Sequence, residues 1–434
     1  MTLTTKVLLG MGLGIVVGLA INLLGLNADG SVVNTFLTNG VFGIVGKMFV
    51  NALKMLVVPL VLLSLIGGVC GIGDIRLLGR IGTKSFALYI LTTAIAIAVA
   101  IAGAALTGIG SGMDVQSAAE FTGADAPPLA DVLVNIVPAN PINAMAEGEM
   151  LSIIFFAILV GISLLLVGSR GKGLIDGVEA ANEVMMKMVG IIMALAPYAV
   201  FCLLAKAMAD LGLDLLLQLV GYVLVLVAIL LFHLFVVLQV VLKVFSGLSP
   251  VTFLQKMRNV QVFAFSTSSS NATIPVTLRT VVQRLGVDRS VASFTVPFGA
   301  TINMDGTAIM QGVATVFIAN IYGVDLGIGG YLTVILMSVL ASIGTAGVPG
   351  VGLIMLSMVF SQVGLPLEGI GLILGVDRLL DMIRTAVNVS GDAVVSCIVA
   401  KSENKLDVDV YVDPDAGLED DLDKANPQAT QPVS

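Results

Sequence analysis

Apolar runs long enough to cross a bilayer recur along this chain from residue 7 to residue 400. A hydrocarbon slab of ~30 Å asks for ~20 such residues per helix. With 57% hydrophobic and 12% charged residues, a soluble fold would have to expose these runs. The expectation is therefore an all-α polytopic membrane protein. The N-terminal run, MTLTTKVLLGMGLGIVVGLAINLLGL, reads as its first span rather than a signal peptide: it is long, no convincing cleavage site follows, and more spans come after it.

Lys and Arg cluster at Arg76, Arg80 and Lys84, at Arg170 and Lys172, at Lys256 and Arg258, at Arg279, Arg284 and Arg289, and at Lys401 and Lys405. Residues 85–169 and 290–377 hold none. The positive-inside rule puts the clusters, and both termini, in the cytoplasm of a cell inner (plasma) membrane. The acidic stretch 107–149 then lies outside. Spans are expected at 5–25, 41–70, 84–107, a broken segment 130–168, 180–209, 215–246, 289–323 and 367–401, which makes eight transmembrane helices. Residues 401–434 hold eight acids between Asp407 and Asp423 and read as a solvated acidic cytoplasmic tail without a core.

Two further apolar stretches, near 250–285 and 327–363, are interrupted midway, by FSTSSSNATIP and by SIGTAGVPGVG. Their flanks suit segments that enter and leave on one side, that is, two re-entrant helical hairpins. Interrupted helices at membrane depth are tolerated only where buried or lining a cavity. Each tip precedes a helix with an intramembrane carboxylate: Pro275 to Asp305 is 30 residues, Pro349 to Asp381 is 32. That is the outline of an inverted repeat whose tips meet near the midplane. Tip N–H groups and helix N-termini suit an anion; two flexible small-residue loops are the bland alternative.

The last span, GVDRLLDMIRTAVNVSGDAVVSCIVA, places Asp377, Asp381, Arg384, Thr385, Asn388 and Asp392 within an arc of roughly 100°. Charges in a membrane helix cost ~2.5–3.5 kcal/mol each and are expected to face a cavity and bind something. A structural salt bridge, Asp381 with Arg384, is the competing reading for that pair. In ATINMDGTA, Asn303, Met304, Asp305 and Thr307 add a second polar break, a hard-cation environment of carboxylate, amide, hydroxyls and carbonyls. Gly306 is expected to let the helix unwind there. Thr92 and Thr93 add hydroxyls. His233, the single histidine, reads as buried or lipid-flanking rather than a ligand, and Cys70, Cys202 and Cys397 show no metal or disulfide spacing.

With these residues in view the chain resembles the dicarboxylate/amino acid:cation symporters, the glutamate/aspartate transporter family. LKMLVVPLVLLSLIGG, NPINAMAEGEMLSIIFFAILVGI, the serine-rich tip, NMDGT, GTAGVPG and DMIRTAVNVSGD occur in family order over nearly the whole chain. The resemblance implies secondary active symport of acidic amino acids, driven by co-transported sodium ions, in a homotrimer in the lipid bilayer, with no nucleic-acid partner. It implies a membrane domain, 1–400, with a scaffold part (mainly 1–70 and 130–246) and a transport part (mainly 84–107 and 250–400) that moves as an elevator.

For the substrate it implies Arg384 on the side-chain carboxylate, Asp381 on the ammonium, and Asn388 and Ser270 on the α-carboxylate with tip backbone near Ser269 and Val348. Thr307 and Thr385 add hydroxyls. One sodium site would join Asp392 with carbonyls of Gly299, Asn303 and Asn388. A second would join Asp305 and Asn303 with Tyr89, Thr92 and Thr93. A third would join carbonyls of Thr301, Ser342, Ile343 and Thr345 with the Met304 sulfur. Relatives carry an extra arginine where this chain has Ser268 or Met382; Arg378 lies at the edge of the stripe as a substitute. Open alternatives are proton coupling, a C4-dicarboxylate carrier, which should lack an acid at Asp381, a neutral amino-acid carrier, which should lack the arginine at Arg384, and a channel. An enzyme is not expected, as no nucleophile–base pair or metal-ligand cluster appears.

Overall fold

The computed structural model describes residues 3–70, 78–112, 134, 136–345, 347 and 349–417. Among these there is no strand, only an isolated antiparallel bridge between Val287 and Leu406. The helices run α1 Leu3–Leu23, α2 Gly43–Cys70 after a π-helical lead-in Val33–Phe42, α3 Thr83–Thr107, α4 Pro141–Glu147, α5 Met150–Val167, α6 Lys172–Ala194 and α7 Ala196–Phe232. After a π-helical turn, His233–Val237, come α8 Leu238–Ser246, α9 Pro250–Thr267, α10 Ser270–Gln283, α11 Arg289–Ile302 and α12 Asp305–Ile321. The chain closes with α13 Gly327–Gly344, α14 Val351–Gln362, α15 Gly369–Ser402 and α16 Val408–Val412. Arg76, Val348, Ala346 and most of the acidic stretch expected outside fall beyond the described residues.

Among the described residues six segments are long and apolar enough to cross a membrane: 5–23, 33–67, 80–107, 152–194, 196–246 and 369–402. The expected span 289–323 divides into α11 and α12, because Asn303 and Met304 leave helical backbone. The expected span 180–209 is also not one helix. Pro197 sits in the first turn of α7, where it cannot donate to the carbonyls of α6, so the helix restarts there. A second bend follows at Gly212.

Helix α1 lies along α7 through Gly10, Gly14 and Gly18, one turn apart. A Cβ on Gly14 would stand 2.7 Å from the Phe201 carbonyl oxygen, so the stripe of missing side chains sets how closely the two backbones approach. The other strong pairings are α2 with α5 and α6, α3 with α12, and α15 with α9, α11, α12 and α7. Helix α15 is central: the most apolar window of its span is 89% buried, against 28% for the first span. Its polar stripe therefore faces protein, while exposed residues such as Leu13, Val16, Phe36 and Leu224 on outer helices suit lipid.

The hairpins form as expected, α9–α10 and α13–α14, and open to opposite ends. The base of the first lies beside residues 410–416, which follow the C-terminal end of α15. The second follows the far end of α12, where Gly369 approaches Ile318. Ser249, Ser269 and Asp288 cap α9, α10 and α11 with side-chain oxygens, which fixes where each helix begins.

The tail departs from its expected solvation. Tyr411 is buried and donates to the Ser249 carbonyl at 2.8 Å. Lys256 Nζ donates to the carbonyls of Arg284 and Val410, each at 2.7 Å. Glu403 pairs with Arg80 and Lys84, whose hydrogen bonds, Lys84's first, hold its carboxyl below the ordinary range. Residues 403–417 thus strap the base of the first hairpin to the end of α15.

Candidate functional site

The two tips meet. Helix α9 ends at Ser268, in left-handed backbone (φ 50°), and α10 restarts at once with Ser269 as its cap. Ser269 Oγ donates to the Gly347 carbonyl at 2.7 Å, and the Asn271 N–H donates to the same oxygen at 3.1 Å. Ser269 and Ser270 are both buried. Val348, expected at the second tip, is outside the described residues.

Against the tips runs the stripe of α15. Arg384 is fully buried, with Nη1 donating to Asp377 Oδ1 at 2.6 Å and Nη2 to Asp381 Oδ1 at 2.7 Å. Asp381 Oδ2 has no hydrogen bond among the described residues, although Arg378 Nη1 stands 3.7 Å away. Asp377 belongs to the sequence stripe but was not singled out as a site residue. Its signal was spacing: seven residues, two helical turns, put it beside Arg384. Thr385 Oγ1 donates to the Asp381 carbonyl within the helix. Thr307 faces the second hairpin: a Cβ on Gly352 would lie 3.2 Å from its Cγ2 and 3.6 Å from Arg384 Nη2.

Below this, the break between α11 and α12 gathers the expected cation residues. Thr93 Oγ1 donates to Asp305 Oδ1 at 2.7 Å, and Thr92 Oγ1 lies 3.3 Å from the same oxygen and 3.4 Å from Asn303 Oδ1. Asn303 Nδ2 donates to Asp392 Oδ1 at 2.9 Å and to the Asn388 carbonyl at 3.3 Å. Asn388 accepts from the Gly306 N–H at 2.8 Å and its Nδ2 reaches Met304 Sδ at 3.3 Å. Tyr89 is fully buried next to Gly299 and donates to the Thr295 carbonyl. Carboxylates, amide oxygens, hydroxyls and the carbonyls released by the break make a hard-donor set for a small cation. No cluster of three or more His, Cys, Asp or Glu that could hold a metal occurs among the described residues.

In the third expected cation group, Ser342, Ile343 and Thr345 are buried at the end of α13, which packs on α11, the helix that carries Thr301. The hydroxyls of Thr301, Ser342 and Thr345 donate to the carbonyls of Phe298, Val339 and Ala341; the carbonyls expected to face the ion are a separate set. Gly306 has a different role from the expected unwinding. It is helical, in the first turn of α12, and a Cβ there would stand 2.6 Å from the Arg384 carbonyl oxygen. It is small so that α12 can touch α15. His233 is buried as expected, but not merely packed: Nε2 lies 3.0 Å from Asp305 Oδ2. The sequence held no sign of this contact, which joins residues 72 apart.

A bundle of bilayer-length helices enclosing a buried polar site, between two hairpins that open to opposite ends, has the architecture of a multi-pass membrane protein, and the family it matches is one of transporters. The chain belongs to the sodium:dicarboxylate symporter family, whose profile matches residues 3–402. It is 35% identical over 418 residues to the proton/glutamate-aspartate symporter of Escherichia coli K12, covering 94% of each chain. It is 34% identical over 370 residues to the proton/sodium-glutamate symport protein of Geobacillus stearothermophilus, 83% of this chain and 87% of that one. It is 33% identical over 370 residues to the C4-dicarboxylate transport protein of Bacillus subtilis, again 83% and 87%.

Proposed function

We propose that this protein is a sodium-coupled symporter of acidic amino acids, glutamate or aspartate, in the cell inner membrane. The observation that carries the reading is the buried Asp381–Arg384 pair at 2.7 Å, facing the second hairpin. A substrate with both a side-chain carboxylate and an ammonium group can replace both halves of that pair, the carboxylate on Arg384 and the ammonium on Asp381. Neither charge is then left unmatched in a site where an unpaired ion is costly. Asn388 and Ser270 take the α-carboxylate, with tip backbone at Ser269 and Val348, and Thr307 and Thr385 supply hydroxyls. A plain dicarboxylate brings no ammonium to Asp381, and a neutral amino acid brings no side-chain carboxylate to Arg384.

Sodium, as co-substrate, binds at Asp392 with Gly299, Asn303 and Asn388, and at Asp305 with Asn303, Tyr89, Thr92 and Thr93. A third ion uses Thr301, Met304, Ser342, Ile343 and Thr345 once the second hairpin closes. The partners of the two carboxylates are hydroxyl, imidazole and amide groups at Thr93, His233 and Asn303, with no Lys or Arg among them, so a cation stabilises them, and ion and substrate favour the same closed state. Residues 84–107 and 250–400 form the moving unit, 1–70 and 130–246 the scaffold, in a trimer with both termini in the cytoplasm. The relatives' names keep proton coupling and C4-dicarboxylate transport as the second reading. Uptake of labelled aspartate into proteoliposomes, with sodium and pH gradients imposed separately, decides: uptake that follows the sodium gradient alone is expected, and uptake that follows only the proton gradient removes sodium from the mechanism.

A further inference from the structure

Arg384 offers five N–H donors in a rigid plane, and a carboxylate can take two of them at once along one edge. The side edge is formed by Nε and Nη2. In this structure that edge is under-used. Asp381 touches Nη2 through Oδ1 alone, its Oδ2 accepts no hydrogen bond among the described residues, and Arg384 Nε has no partner among them either, although it is buried. Nη2, one end of that edge, lies near the second hairpin: a Cβ on Gly352 would stand 3.6 Å from it. Asp377 grips the guanidinium from elsewhere, at Nη1, 2.6 Å away, and is itself 5% exposed.

We propose that Asp377 is a positioning residue that anchors Arg384 by Nη1 and so aims the Nε–Nη2 edge at the ligand carboxylate, with Asp381 as a one-point placeholder on that edge. The inference rests on the reading of Arg384 as the carboxylate receptor. Arg384 is a long side chain that would otherwise lose several rotamers on binding. With Nη1 fixed two turns back along the same helix, the plane is set before the ligand arrives. When the ligand's ammonium draws Asp381 away, a second carboxylate meets two free, parallel donors. Asp377 stays with Nη1, so the arginine never gives up its buried counter-charge and no isolated charge is created. The opposite arrangement, in which Asp377 is a rival that the ligand must displace, makes the reverse prediction: removing its charge would tighten acidic ligands.

The test uses the full-length purified protein, its Asp377→Asn and Arg384→Ala variants, and L-aspartate and succinate as probes, with sodium binding to the ligand-free protein measured alongside. Misaiming a clamp by about 1 Å costs on the order of a hundredfold. Asp377→Asn is expected to weaken both acids by ten- to a hundredfold, on the order of that limit, while sodium binding without ligand stays near the parent's. Where Asp377→Asn yields no folded protein, Asp377→Glu keeps the charge, pushes the guanidinium forward by a methylene, and should show the same selective loss. Unchanged or tighter binding of both acids overturns the proposal, and so does a loss shared equally by sodium binding, which marks a general packing defect. If Arg384→Ala abolishes acid binding while Asp377→Asn does not weaken it, only this inference falls. A parent that binds neither acid, or an Arg384→Ala variant that binds both normally, removes the receptor role and this inference with it.

Discussion

Ser269, at the tip of the first hairpin, donates a hydrogen bond from its hydroxyl to the backbone carbonyl of Gly347, at the tip of the second, across 2.7 Å. The same oxygen atom of Ser269 accepts from the Ala272 N–H, so one side chain both starts α10 and joins the hairpins. Replacement by alanine removes a cap and a cross-tip bond, each worth about 1 kcal/mol. The cross-tip bond is the one that bears on closure, so Ser269→Ala should lower aspartate affinity by about fivefold, at 1.4 kcal/mol per decade. An equilibrium binding assay on purified protein checks this, and an unchanged affinity would mean the tips close without the bond.

Arg384 should read substrate charge. A bidentate guanidinium–carboxylate pair in a dry site is worth more than at a surface. Arg384→Ala is expected to lose acidic substrates by at least two orders of magnitude, roughly 3 kcal/mol. Competition binding with aspartate and serine checks it; the sign to look for is loss of aspartate with serine retained.

Asp381 should separate amino acids from plain dicarboxylates. If it holds the ammonium, Asp381→Asn costs aspartate far more than succinate, which never used that contact. If it only anchors Arg384, both weaken alike. The measurement is the ratio of the two affinities in parent and variant, and a constant ratio takes Asp381 out of the substrate site.

Coupling should run through Asp305 and Asp392, whose oxygens are met by Thr93 and His233 and by Asn303 respectively. Asp305→Asn or Asp392→Asn should weaken sodium binding and flatten the sodium dependence of aspartate affinity, since linkage is reciprocal. Two variants that keep the parent's slope of log affinity against log sodium would put the cations elsewhere.

Gly306→Ala tests the packing of α12 on α15 without touching a charge. The added methyl meets backbone at 2.6 Å from the Arg384 carbonyl oxygen and 2.9 Å from its Cα, neither of which can rotate away. Overpacking of this kind costs about 1–3 kcal/mol. A lowered midpoint in thermal unfolding is expected, together with weaker substrate binding, because the displaced atoms carry Arg384.

What the sequence made legible were the features that repeat or that cost most in lipid. The hairpins showed as apolar runs broken by small and polar residues, and the α15 stripe showed because six polar groups at helical spacing have no cheap place in a bilayer. Thr92 and Thr93 were weak as a pair and became meaningful only where α3 packs on α12. The His233–Asp305 contact depends on how two distant helices are rotated against each other, which no local pattern encodes. The tail misled through its average. Its charge count suggested solvation, yet VDVYV inside it carries the tyrosine that docks under the first hairpin. Gly306 was misread because a glycine beside a helix break looks like the cause of the break, when its neighbour across the interface is what requires it.

Among the described residues α15 is the last helix of bilayer length, and it supplies Asp377, Asp381, Arg384, Asn388 and Asp392. Synthesis runs from the N-terminus, so Asn303 and Asp305 are made well before Asn388 and Asp392, the groups that hold the helix break in place from the other side. Until α15 is made, Asn303 and the Gly306 N–H lack these partners. The strap of residues 403–417 then closes over the base of the first hairpin, later still. A ribosome that stops before residue 377 leaves a protein without Asp377, Asp381, Arg384, Asn388 and Asp392, so the two halves of the helix break never meet their partners on α15.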